Sequence, residues 1–218
     1  MVDGNGNIYV VGQSEEDLMT PGTYTLMLRH SSDQGQTFSN PVLVATAATY
    51  LEQSQMIIEP SGAIDIAMQT YNSASMQIAV LFARSTDGST FTVQTLASAP
   101  NVSLAGANQM VLDSCGVINL VYSAETTVTG EPQTLDVFLS RSADGVAFIT
   151  TNLSNNAPFA AQAGTPYKAV QAAIAADKNG NVFVTWEDIN VAYGIVGHGM
   201  FVVPPPSAGG SACGHPQG

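Results

Sequence analysis

Trp186, Glu187 and Asp188 stand together at the end of an apolar run, and this triplet is where chemistry first suggests itself in the chain. An indole face stacks on a sugar ring, and a pair of carboxylates about 5–10 Å apart is what cleavage of a glycosidic bond requires. Asp65 is a second candidate, because it interrupts an apolar alternation at a position held by Tyr9, Asn119 and Phe183 in similar stretches. Asp65, Glu187 and Asp188 are therefore the candidate catalytic acids, and Trp186, Asp65 and Glu187 the candidate ligand contacts. Asp136, which opens another apolar segment, breaks the pattern in the same way. The competing reading has Trp186 filling core while the acids face water.

Other chemistries find less support. His30, His198 and His215 lack the spacing of metal ligands. The stretches DGNGN and DKNGN place oxygen ligands at alternate positions, as a calcium loop does, but their glycine comes fourth rather than sixth. A hairpin turn is the expectation there, with calcium as the alternative, and no metal site or cofactor is assigned. There is no G-x-S-x-G elbow and no phosphate-cradling glycine loop opening a helix.

The elements that must carry these residues come in repeats. Asp3, Glu59, Asp113 and Asp177 each begin a four-residue turn closed by Gly6, Gly62, Gly116 and Gly180, recurring about every 55 residues. Alternating β-branched and apolar residues follow each glycine, and another apolar segment precedes most of the turns. A second motif runs out of phase with the first: SSDQGQTF from Ser31, STDGSTF from Ser85 and SADGVAF from Ser142. Each sits between two further strand-like segments. Four antiparallel strands per unit make a propeller blade. No helix is expected; SEEDLM at 14–19 is a candidate for one helical turn, inside a strand-to-strand loop.

The motif of Ser31, Asp33, Gly35 and Phe38, with Ser85, Asp87, Gly88 and Phe91 and with Ser142, Asp144, Gly145 and Phe148, resembles the Asp box, or BNR repeat, of sialidase-like β-propellers. The resemblance implies an outer turn between the third and fourth strands of a blade. There the Asp would accept backbone N–H bonds, the Gly would permit positive φ and the Phe would pack under the blade. It predicts an all-β fold, a β-propeller of four-stranded antiparallel blades with about three and a half blades in this chain. The blades fall at about residues 1–46, 47–98, 99–155 and 165–203, followed by a Pro/Gly/Ser-rich tail over 204–218. Such an arc is a part of a larger propeller, half of a ring completed by a second copy, or a small ring with one irregular blade.

Sialidases grip an acidic sugar with three arginines. Here the three arginines, Arg29, Arg84 and Arg141, each stand just ahead of a box, which reads as three separate structural positions. A formal net charge of −12 with 5 Lys plus Arg argues against nucleic acid, and no apolar run is long enough to insert in a bilayer as a helix. The expectation is a non-catalytic module that recognises glycan or protein or serves as a scaffold. The alternative is a fragment of a sialidase-like or other glycoside hydrolase. An extracellular, cell-surface or periplasmic setting is expected, with any export signal upstream of the abrupt start. Cys115 and Cys213 form one bridge or remain two thiols.

Overall fold

The computed structural model describes residues 1–14, 24–47, 51–72, 77–100, 109–126, 134–164, 166–190 and 195–204. It forms two compact units, Met1–Val102 and Ser103–Gly218. In the first, β1 (Ile8–Ser14), β2 (Tyr24–Ser31) and β3 (Val42–Ala47) make a three-stranded antiparallel sheet. β4 (Leu51–Ile58), β5 (Ile64–Asn72), β6 (Gln77–Ser85) and β7 (Thr92–Pro100) make a four-stranded one in the same meander order. The two sheets pack face to face through Leu26, Leu28 and Val44 on one side and Ile64, Ile66 and Met68 on the other.

The second unit holds β8 (Gln109–Leu112), β9 (Ile118–Thr126), β10 (Thr134–Ser142) and β11 (Ile149–Asn152), then β12 (Tyr167–Ala176), β13 (Val182–Asn190) and β14 (Ile195–Val203). Val121, Val137 and Leu139 pack on Val184 and Trp186. Here the structure departs from separate blades. β11 pairs only with Phe138–Arg141 of β10, which leaves Leu135 free to bridge Lys168 of β12 in parallel and joins the strands into one seven-stranded sheet. An all-β, multi-sheet fold is established.

A short helix also appears, contrary to expectation: α1 (Ala157–Ala163) lies in the crossover from β11 to β12. Pro158 occupies its first turn and Gly164, at φ 64, ends it in the left-handed conformation. Seven residues are too few for a helical period to show. The candidate helical turn at 14–19 and the tail beyond Pro204 lie outside the described residues, apart from Ser14, which is strand.

The repeated motifs become two kinds of tight turn at one end of the sheets. Asp3 Oδ1 accepts the N–H groups of Asn5 and Asn7 at 2.9 Å, and Asp113 and Asp177 repeat the arrangement. In the S-x-D turns Ser31, Ser85 and Ser142 donate to Asp33, Asp87 and Asp144 at 2.7–2.9 Å. Their hydroxyls in turn accept the N–H groups of Gly35, Gly88 and Gly145. Hydrogen bonds from the Thr37 hydroxyl and N–H and from Ser31 hold the Asp33 carboxyl down to about 2. The first turn is one residue longer, and Gln34 absorbs the extra residue at φ 61. Packing of the Phe varies: Phe91 packs against the first unit's core, whereas Phe38 is exposed.

β13 explains Trp186. Its indole lies over the backbone of Gly199, its partner on β14, so tightly that a Cβ at position 199 would fall within the ring. Gly199→Ala is expected to cost about 1–3 kcal/mol through overpacking. A lower denaturant midpoint together with red-shifted emission of the sole tryptophan checks it, and an unchanged midpoint would show that the ring has room to move.

Candidate functional site

The tight-turn end of the first unit contains a charged cluster. Arg84 Nη1 bonds Glu59 Oε1 at 2.6 Å and Asp65 Oδ1 at 2.7 Å, and Ser61 donates to Glu59 Oε2. Asp65 is fully buried. Burial, reinforced by a hydrogen bond to Glu59, pushes its carboxyl up to about 7, against the pull of Arg84. Burial would also raise Glu59, but hydrogen bonds with Arg84, Asp65 and Ser61 outweigh it and leave Glu59 below its ordinary value. Asp65 Oδ2 accepts no hydrogen bond. Burial with no partner on Oδ2 favours the neutral, protonated form of Asp65.

The same clasp recurs in the second unit with an amide. Arg141 Nε donates to Asn119 Oδ1 at 2.8 Å, and Asn119 Nδ2 donates to Asp113 Oδ2 at 3.2 Å. In the first sheet Tyr9 and His30 face each other across the strands and stack with centroids 5.9 Å apart. The repeat counterpart of Arg84 and Arg141 is therefore His30, and the expected equivalence of Arg29 is corrected. Arg29 lies one residue earlier on the opposite face, near the Ser39 carbonyl. Aligning Ser31, Ser85 and Ser142 would have revealed this in the sequence. Asp65 occupies a structural clasp with no open approach, because its side chain is fully buried.

The other end of the sheets joins strands by connections that differ from repeat to repeat, and unlike connections are where function concentrates. In the second unit this end holds a linked pair of acids. Asp136, fully buried at the start of β10, takes Ser154 Oγ at 2.8 Å and the Asn156 N–H at 2.7 Å on Oδ1. Asn152 Nδ2 and Thr134 Oγ1 reach its Oδ2. Asn156 then extends Nδ2 to Asp188 Oδ1 at 3.2 Å, and Trp186 Nε1 donates to Asp188 Oδ2 at 3.0 Å. Asp188 is partly exposed, unlike Asp136.

Strand alternation divides the sequence triplet. Trp186 and Asp188 share one face of β13, and Glu187 lies on the other, opposite His198. Trp186 is 7% exposed, with Gly199 against its ring, so the expected stacking platform with Glu187 is absent. Asn156 escaped the sequence reading because its partners lie far away in the chain. For the calcium alternative, Asp177 directs both oxygens to Asn179 and Asn181 of its own turn. Among the described residues no cluster of three His, Cys, Asp or Glu side chains faces a metal position. Cys115 is disulfide-bonded; Cys213, the chain's other cysteine, lies outside the described residues.

No protein-family model matches the chain, and no curated protein matches its sequence. Solved structures do match in three dimensions. A protein of unknown function from Dyadobacter fermentans superposes with a TM-score of 0.58 at 17% identity, over 94% of this chain and 52% of that one. The GH93 α-L-arabinofuranosidase of Fusarium graminearum, solved with arabinobiose, gives 0.60 at 12% identity over 94% and 61%. The Penicillium chrysogenum α-L-arabinanase, also with arabinobiose, gives 0.58 at 12% over 91% and 59%. The chain shares its fold with these proteins, two of which are carbohydrate-active enzymes by description. This chain spans between half and two thirds of their length, and nothing in the likeness singles out sialidases. The finding overturns the expectation of a non-catalytic module and the leaning against an enzyme, because these sugar-bound neighbours are hydrolases by description.

The clasp generates a pH prediction. Native Asp65 holds its proton up to about 7, whereas the unfolded carboxyl releases it near 3.8. Its contribution to stability is complete below the unfolded value and is lost as pH rises through 7, with a slope of at most about 1.4 kcal/mol per pH unit. Glu59, shifted the opposite way, acts below its ordinary value of 4.5 and so outside the window from pH 5 to 7. Asp65→Asn is expected to flatten that slope while keeping the fold, since Asn119 already fills the equivalent place. Urea titrations across the window test this; a slope that survives the substitution would remove Asp65 as its source.

Proposed function

We propose that this chain is the propeller portion of a glycoside hydrolase acting on a neutral glycan, with arabinan as the first candidate substrate. Its blades, at about 1–46, 47–98, 99–155 and 165–203, would form a sialidase-like frame whose outer turns are the three S-x-D motifs. The observation that carries the reading is the shared fold with enzymes solved with arabinobiose. A neutral substrate fits the cation count. Arg84 and Arg141 are engaged in clasps, and Arg29 lies on another face. At the connection end of the second unit the sheet offers one lysine among the described residues, Lys168 at the start of β12. A net charge of −12 disfavours a polyanion. The disulfide at Cys115 supports an extracytoplasmic setting.

Within this reading Asp188 is the reacting carboxylate. It is partly exposed at the end of β13, and its orientation is set by Trp186 Nε1 and Asn156 Nδ2. Asp136, buried and surrounded by four donors, is a positioning residue that fixes Asn156. The second carboxylate of a glycosidase pair would come from outside this linked pair. Release of reducing sugar from linear arabinan by the full-length protein, with a sialylated oligosaccharide and a polyuronate as controls, tests the function. Asp188→Asn is expected to lower kcat by about 10²–10⁴-fold with little change in melting temperature. Turnover confined to the acidic polymers would overturn the substrate class, and full activity of Asp188→Asn would remove that residue from the chemistry.

A further inference from the structure

One packing rule operates in both units. In the first, Val11, Leu26 and Leu28 pack on Ile66, Met68 and Ala83. In the second, their repeat counterparts Val121, Val137 and Leu139 pack on Val184 and Trp186. At the tight-turn end of the second unit, an open groove of about 640 Å³ lies between β10 and β11 on one side and β14 on the other. Leu139, Leu153 and Val203 carry the core up to it. Its walls present Phe201, 42% exposed, and Ile149, 78% exposed. Ile149 stands opposite Arg141, where the first unit has Thr92 opposite Arg84. An isoleucine therefore occupies an edge position that is polar in the other unit.

Two fixed points of the chain border this groove. Pro204, which follows β14, lines it. Val117 lines it too, two residues after Cys115 in the turn between β8 and β9. Cys115 is disulfide-bonded and partly exposed, and the sequence holds one other cysteine, Cys213. Residues 205–212 must therefore join Pro204 to a cysteine held at Cys115. Extended at about 3.1 Å per residue they span roughly 25 Å, enough to cross a groove of this volume. Their sequence, PPSAGGSA, carries no charge and no side chain larger than proline. Burying it desolvates no ionised group, and its two leading prolines bring no N–H that would need a partner. Pro204 and Cys213 both lie inside the sequence, so the path between them is the same in a longer polypeptide.

We infer that residues 205–212 lie in this groove as an intramolecular strap. Pro205 and Pro206 pack against Phe201 and Ile149, and the Cys115–Cys213 bridge fastens the far end beside Val117. The strap covers apolar side chains that the described strands leave open, and it ties β14 to a turn far earlier in the chain. It is independent of the proposed chemistry, since the groove lies at the tight-turn end and Asp188 at the other.

Measurements on the purified, oxidised protein test the strap. Peptide mapping without reductant is expected to recover Cys115 linked to Cys213. Nuclear Overhauser spectra are expected to connect the Ile149 δ1 methyl with protons of Pro205 and Pro206. Ile149→Asp, at a largely exposed position, is expected to keep the fold by circular dichroism and to lose contacts between Phe201 and the prolines. Its bridge is expected to be reduced by dithiothreitol about tenfold faster than in the wild-type chain, as access to the sulfurs rises. A free thiol at Cys115 in the native protein overturns the proposal, as does an Ile149 methyl with no contact to residues 205–212. Equal reduction rates in the variant and the wild type also overturn it. Ile149 signals that lack those contacts and shift on adding arabino-oligosaccharide give the groove to a glycan instead.

Discussion

Every sheet in this protein is apolar on both faces, and the rest of the structure depends on that constraint. An antiparallel sheet that met water on one side would alternate apolar and polar residues along each strand. β9 instead buries Ile118, Leu120 and Tyr122 on one face and Val121 on the other. Each fully buried side chain of this size contributes about 1.5–3 kcal/mol. Partly exposed ion pairs, whose typical worth is at most about 1 kcal/mol, cannot compete with that sum. The sheets must therefore stack, and the registers show that they stack in one sense, the Val11-type face on the Ile66-type face. Trp186 takes its meaning from this arrangement: it is the Ile66-type face of the last sheet, at the register position of Met68 and Tyr122, before it is anything else.

Stacked, two-faced sheets leave only their ends for other work, and the two ends have been used differently. At one end serine hydroxyls, aspartate carboxylates and glycine backbones form closed hydrogen-bonded turns with little polar capacity left over. Their job is to bring two strands into register, and they repeat because that job repeats. At the other end Asp136, Asn156 and Asp188 form a network that has no counterpart among the described residues of the other repeats. Asn156 also begins α1, so the crossover that joins two repeats and the orientation of Asp188 are set by the same residue.

The repeats were legible because their signals are local. Glycine spacing, two-residue alternation and the S-x-D turns all act within a few residues, and they placed the strands and the tight turns correctly. What failed needed either alignment at single-residue precision or contacts distant in the chain. The extra Gln34 in the first turn does not move Arg29 toward the clasp, since the register counts back from Ser31 and selects His30. Glu187 and Trp186 looked like one platform although a strand sends neighbours to opposite faces; that rule was available and would have paired Trp186 with Asp188. Asn156, by contrast, carries no local signal. Its role depends on Asp136 and Asp188, brought from β10 and β13 by the join between repeats.

Asp65 and Asp188 show why a displaced pKa does not by itself mark an active group. The Asp65 carboxyl is pushed up, and the cause is complete: burial and a neighbouring carboxyl against the pull of an arginine, with no open approach for a ligand. The amide of Asn119 satisfies the same hydrogen-bonding places in the next clasp, so the proton on Asp65 serves to neutralise a buried acid rather than to be transferred. Asp188 has two donors to fix its direction and a partly exposed side chain. Proton transfer needs reach before it needs a tuned pKa. Of the two carboxylates, access favours Asp188, and the same criterion assigns Asp65 to the scaffold.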